Sequence, residues 1–241
     1  MFRKYYDLHV ATKYSYGVDS VENVVKYAEK LGLDTIVVLD RMDSLDVLGE
    51  IKKDVKAVKS DINVLVGVEI KAENQGDLNR QINRFRDNVD ILAVWGGDFE
   101  INRSAVENPR VDILTHPELK RKDSGMDQVM MKLAAENNVA VELNFREYLH
   151  SYRKIRSYVL SHMRRNVMLA RKYGAHVIVA SGAESVWDMR AGRELASLAY
   201  MCGFDRERAV KTVSEVPAFI VKRTAEVKNH TLKNGVKVIG V

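Results

Sequence analysis

Several short apolar runs end in a polar residue able to do chemistry. His9 closes DLHVAT, Asp40 closes VVLDR, Glu69 closes VGVEI and His116 follows DILT, while Asn144 and Ser181 end the runs in VELNFRE and IVASGAES. Two imidazoles with two carboxylates form a donor set for zinc or a harder divalent cation, which would activate water or hold phosphate oxygens. The remaining histidines, His150, His162, His176 and His230, show no ligand spacing and are expected to be structural or exposed.

A second chemistry is electrostatic. Residues 1–110 carry 16 Lys/Arg against 19 Asp/Glu, whereas residues 111–241 carry 22 against 14, so the basic surface belongs to the second half. Between Tyr152 and Gly174 lie Arg153, Lys154, Arg156, Arg164, Arg165, Arg171 and Lys172 with no acidic residue. At about 100° per residue, all but Arg156 fall in an arc of roughly 120°, and Ile155, Val159, Met163, Val167 and Ala170 lie opposite. Such a one-sign stripe favours an anionic partner over a solvated surface of mixed charge. Lys13, Arg41, Lys71, Lys120, Arg121, Lys122 and Arg146 each follow a strand end, a ring suited to phosphate. Tyr148, Tyr152 and Tyr158 interleave the basic residues, and Tyr14 and Tyr16 follow the first run; half-buried packing is the ordinary role, stacking on unpaired bases the other. Trp95 and Trp187 are expected as core or rim anchors.

These residues need a frame. Apolar runs at Tyr5 to Val10, Thr35 to Asp40, Asn63 to Ile70, Ile91 to Trp95, Val111 to Thr115, Ala140 to Asn144 and His176 to Ser181 alternate with helical patterns. Continuous apolar runs indicate strands covered on both faces, hence a parallel sheet. Asp19 with Glu22 predicts a helix start, and Gly32, Gly174 and Gly203 predict helix ends. The alternation predicts an α/β fold, a TIM-like (β/α) barrel of seven strands, with a doubly wound sheet as the alternative. Strand C-termini share one face, where such folds place their chemistry.

The composition, 46% apolar and 29% charged over 241 residues with three prolines and one cysteine, excludes disorder, a collagen-like repeat and a disulfide scaffold. One domain over 1–221 is expected, with a basic surface or flexible tail over 222–241. No apolar run approaches the roughly 18 residues of a membrane span, and MFRKYYDLHV lacks a secretory core, so a cytoplasmic protein is expected. Cys202 before Gly203 reads as a small core residue in a reducing compartment.

In motif order from Asp7 to about Arg193, the chain resembles the PHP phosphoesterase superfamily and, within it, the archaeal and eukaryotic ribonuclease P protein component 3 family. DLHVAT, GVEI, DILTHPE, ELNFREYL and SGAESVWDMR carry the likeness together. PHP enzymes open with H-x-H where this chain has His9-Val10-Ala11, and close with D-x-H where it has Ser181-Gly182-Ala183. The resemblance therefore implies a PHP barrel that kept His9, Asp40, Glu69 and His116 as a vestige and lost the metal cluster, with no cofactor bound by the protein. It further implies a non-catalytic subunit whose RNA partner matures the 5′ end of precursor tRNA with its own Mg²⁺, beside ribonuclease P protein component 2 and other protein subunits. Lys120, Arg121, Lys122, Arg146, Arg153, Lys154, Arg164, Arg165, Arg171 and Lys172 are the expected RNA contacts. The rival is a stand-alone metal-dependent phosphoesterase using His9, Asp40, Glu69 and His116; a scaffold that binds only proteins is the third reading.

Overall fold

The computed structural model describes residues 3–228, 232–233 and 236–237. Seven parallel strands pair in chain order: β1 (Tyr6–Val10), β2 (Thr35–Asp40), β3 (Asn63–Ile70), β4 (Ile91–Trp95), β5 (Ile113–Thr115), β6 (Ala140–Asn144) and β7 (Val177–Ala180). The helices between them are α1 (Val21–Lys30), α2 (Leu45–Ala57), α3 (Gln75–Phe85), α4 (Phe99–Glu107), α5 (Gln128–Glu136), α6 (Phe145–His150) and α7 (Arg153–Tyr173). After β7 come α8 (Gly192–Met201), α9 (Arg206–Lys211) and α10 (Glu215–Lys228). The edges β1 and β7 meet at the mouth through a Val10–Ala183 bridge, with Ala11 N–H donating to Ala183 O at 2.8 Å, so the sheet is a nearly closed seven-stranded barrel.

Alternation along each strand explains the two apolar layers. Ile36 and Val38 face the helices, while Val37 and Leu39 face inward with Leu8, Ile91, Ala93, Ile113, Ala140 and Ile178. Gly67 lies among them because a Cβ there would come within 2.6 Å of Leu39 and 2.9 Å of the Ile91 carbonyl. Ile220 of α10 joins this inner layer. The inward polar residues gather at the other end of the strands, and that end is the mouth.

Two expectations at helix termini change. The N-cap of α1 is Ser20, which accepts from Asn23 N–H, while Asp19 accepts the Val186 amide at 2.9 Å and ties the first loop to the last. The boundary expected at 221 falls inside α10, which continues to Lys228 because Arg223 reaches back to Asp112 at 2.8 Å. Asp112 is buried and also accepts from Arg86 and from the Leu92 amide, so one carboxylate holds α10, β4 and the segment before β5. A short antiparallel pair, β8 (Leu232–Lys233) with β9 (Val236–Lys237), lies in the predicted tail. Residues 229–231, 234–235 and 238–241 of that tail, His230 included, lie outside the described residues.

Replacing Arg86 and Arg223 together with Ala strands the Asp112 charge and is expected to cost about 3–5 kcal/mol, measured by chemical denaturation. A chain ending after 221 should melt well below one ending after 228; equal melting temperatures would show that α10 does not hold the barrel.

Candidate functional site at the barrel mouth

Backbone irregularities aim the site residues. The register of β1 slips between Asp7 and Val10, a bulge that carries His9 to the barrel interior. His116 turns inward through a left-handed backbone, φ 51°, directly after Thr115. Gly182 has φ 60°, and a Cβ there would lie 2.1 Å from the Asn144 amide, so glycine lets the last loop close over the mouth.

The structure brings His9, Glu69 and His116 together as expected, while Asp40, in register with the outward Ile36 and Val38 on β2, is taken up by the first loop; all four are buried. It adds Glu142, whose Oε1 meets His9 Nδ1 at 2.8 Å, and Tyr16, whose hydroxyl meets His9 Nε2 at 3.0 Å and donates to Glu69 Oε2 at 3.1 Å. Glu69 also accepts from Thr115 Oγ1 at 2.6 Å and from Arg41 Nε at 3.0 Å. His116 stands with Nε2 3.7 Å from Glu69 and Nδ1 3.2 Å from Glu147, outside hydrogen-bond geometry, and its ring packs on Trp95 at 4.1 Å. Asp40 accepts from Thr12 N–H at 2.8 Å, Thr12 Oγ1 at 2.6 Å and Ser15 Oγ at 2.5 Å.

Glu142 was legible: it shares the inward face of β6 with Ala140 and Asn144, and a carboxylate inside an apolar strand needs a partner. Tyr16 carried no signal, whereas the inward direction of Arg41 continues the alternation of Val37 and Leu39. Arg41 therefore leaves the expected phosphate ring and becomes part of the mouth. Trp187 is also corrected; it is 76% exposed, edge-on to Tyr27.

Charge at the mouth is internally balanced. Burial opposes the charged form of His9, yet Glu142 and Glu69 lift its pKa from 6.5 to about 9. Burial also opposes ionisation of Glu69, but His9, His116 and Arg41 hold it below the usual carboxylate value. Burial raises Asp40. The donors present do not fit a hydrolytic cluster of two or three metals, because Asp40 is filled by protein donors and Glu69 by Arg41, Tyr16 and Thr115. His9, His116 and Glu142 offer ligand atoms within 4.8 Å of one another, but His9 Nδ1 is already committed to Glu142.

The expected RNA-contacting cations divide into two groups. Arg121 pairs with Asp123 at 2.6 Å, and Arg146 with Glu184 at 2.8 Å and Asp188 at 3.3 Å. Arg164 donates to Met201 O at 3.0 Å and Arg171 to Gly203 O at 2.8 Å, capping the carbonyls at the end of α8. Lys120, Lys122, Arg153, Lys154, Arg165 and Lys172 are exposed and have no ion pair among the described residues. Arg153 lies 5.2 Å from the Tyr152 ring centroid, and Lys154 lies 5.5 Å from that of Tyr158. Ile155, expected on the core side of α7, is 64% exposed beside Tyr152 at 66% and Tyr158 at 52%, because the first turns of this 21-residue helix run past the barrel wall.

Alkaline pH should weaken the fold. His9 contributes stability that is complete below 6.5 and lost as pH rises through about 9. Glu118, buried with neither oxygen paired, is pushed by burial from 4.5 to about 8, so its ionisation opposes folding increasingly between those values. Glu118→Gln should therefore melt above the wild type at pH 9 and close to it at pH 5; an equal offset at both pH values would contradict this assignment.

Comparison with known proteins agrees with this geometry. Residues 4–229 match the family described as RNase P subunit p30. The chain is 37% identical over 223 residues to ribonuclease P protein component 3 of Methanosarcina barkeri, covering 92% of this chain and 91% of the relative. With the protein of that name from Methanothermobacter thermautotrophicus it shares 30% identity, covering 98% and 96%. A chain from the cryo-EM structure of archaeal ribonuclease P with mature tRNA superposes with a TM-score of 0.81 at 29% identity, over 97% of this chain and 98% of that one. A Xaa-Pro dipeptidase superposes with a TM-score of 0.61 at 11% identity, over 92% and 76%, a likeness of fold alone. A seven-stranded barrel whose mouth carboxylates are satisfied by its own side chains, matched over nearly its whole length, belongs to the RNase P subunit p30 family.

Proposed function

We propose that this protein is a subunit of ribonuclease P, the RNA–protein endoribonuclease that removes the 5′ leader of precursor tRNA, and that it binds and supports the RNA rather than cutting it. The observation that carries the subunit reading is the whole-chain superposition on a component of archaeal ribonuclease P. The mouth geometry supports a chain without independent catalysis, since the donors a phosphoesterase needs are engaged with one another. In this reading the RNA component performs the hydrolysis with Mg²⁺ that it binds itself, and the protein carries no cofactor. Ribonuclease P protein component 2 and the other protein subunits are the proposed protein partners, with precursor tRNA as substrate of the assembly.

The proposed RNA contacts are phosphate contacts from α7 and the loop after β5. Exposed and unpaired, Arg153, Lys154, Arg165, Lys172, Lys120 and Lys122 can meet phosphate without breaking a protein interaction. Arg164 and Arg171 can add to them while capping α8; with Lys172 and Arg208 they line a groove of about 440 Å³. Arg121 and Arg146 would have to exchange carboxylate partners first. No helix among the described residues is long and apolar enough to cross a membrane. The unpaired, buried Cys202 thiol suits a reducing cytoplasm.

Replacing Arg165 and Lys172 together with Ala should weaken binding to ribonuclease P RNA across sequences and flatten the log K versus log salt slope by about one per lost contact. Fluorescence anisotropy over a salt series measures both. Arg164→Ala should also lower the melting temperature, since it uncaps Met201 O. An unchanged slope in the double variant would remove this face of α7 from the interface.

A further inference from the structure

We infer that the Arg41 guanidinium takes the place of a divalent cation at the barrel mouth, and that neutralising position 41 turns the His9–Glu69–His116 cluster into a zinc-binding site. His9 Nε2 and His116 Nε2 each lie 3.7 Å from Glu69 Oε1. Donors around a tetrahedral zinc with bonds of 2.0–2.1 Å stand about 3.4 Å apart, so each imidazole nitrogen lies within a small shift of sharing a cation with Glu69 Oε1. His116 is buried, with neither ring nitrogen hydrogen-bonded. Each imidazole thus already stands near ligand spacing from Glu69, and the Arg41 charge opposes a metal there.

Arg41 supplies that charge from a fixed position. Its Cζ lies 3.6 Å from the Trp95 ring centroid and 4.3 Å from that of Tyr16, while Nε donates to Glu69 Oε2. Aromatic contacts on two rings and a carboxylate hold the guanidinium where it neutralises Glu69. Nη2 is buried without a partner, as expected for a group placed for its charge rather than for a full set of hydrogen bonds. A cation seated between the two imidazoles would share Glu69 with Arg41 and be repelled by it. Arg41 also fixes the Tyr16 ring, whose hydroxyl covers His9 Nε2. One side chain therefore both supplies the charge and blocks a ligand atom. This exchange concerns the mouth alone and stands whether or not α7 meets RNA.

The test is calorimetric titration with Zn²⁺, together with elemental analysis, on the full chain and the variants Arg41→Gln, Arg41→Lys and Arg41→Gln/His116→Ala. Arg41→Gln keeps polar bulk and loses the charge; it should bind one Zn²⁺ at least tenfold more tightly than the wild type. Arg41→Lys keeps the charge and should stay close to the wild type, and the double variant should lose the gained site. If Arg41→Gln does not fold unaided, recovery of its native circular dichroism on refolding with Zn²⁺ supports the exchange, and failure to recover overturns it. Stoichiometric Zn²⁺ retained by the wild type, or no gain in Arg41→Gln, overturns it as well.

Discussion

A carboxylate buried at the end of a barrel strand must be neutralised, and in this protein the chain does it with its own side chains. Glu69 is the centre: Arg41, Tyr16 and Thr115 donate to it, and both mouth imidazoles stand 3.7 Å away. Around it, Asp40 holds the first loop through Thr12 and Ser15, and Glu142 holds His9. The mouth is thereby a structural hub. It joins β1, β2, β3, β5 and β6 and the loop carrying Tyr16, and most of its carboxylate oxygens are engaged by the chain's own donors.

A second constraint sits at the opposite end. Asp112 anchors Arg86 and Arg223 and so fixes α10 against the barrel floor, where Ile220 packs into the inner layer. With both ends closed by internal ion pairs, the exposed cations of α7 and of the loop after β5 that have no ion pair among the described residues are groups that can meet an outside partner. On α7 itself, Arg164 and Arg171 are divided between cap and surface, whereas Arg165 and Lys172 belong to the surface.

Much of the fold was legible because parallel strands buried on both faces leave uninterrupted apolar runs, and β2, β3, β4 and β6 coincide with the runs read from the sequence. His9, Asp40, Glu69 and His116 were legible because strand ends in such folds converge. What escaped depends on direction rather than type. Arg41 continues the inward alternation of Val37 and Leu39 beside an outward-reading ring of basic residues, and Tyr16 returns from a loop that carries no periodicity. Glu118 is buried in a turn segment although its type favours water. The continuation of α10 rests on Arg223 and Asp112, which are 111 positions apart and share no local pattern. Ile155 fits the apolar side of α7, but helix length relative to the barrel wall decides its exposure, and periodicity does not carry that length.

The most direct measurement is multiple-turnover cleavage of precursor tRNA by the reconstituted RNA and protein components, with this chain present or omitted, as Mg²⁺ is varied, alongside the purified chain alone. The chain is expected to lower the Mg²⁺ concentration at which the assembly cleaves and to release no product by itself. Cleavage by the RNA-free polypeptide, or an assembly indifferent to its omission at every Mg²⁺ concentration, would contradict this expectation.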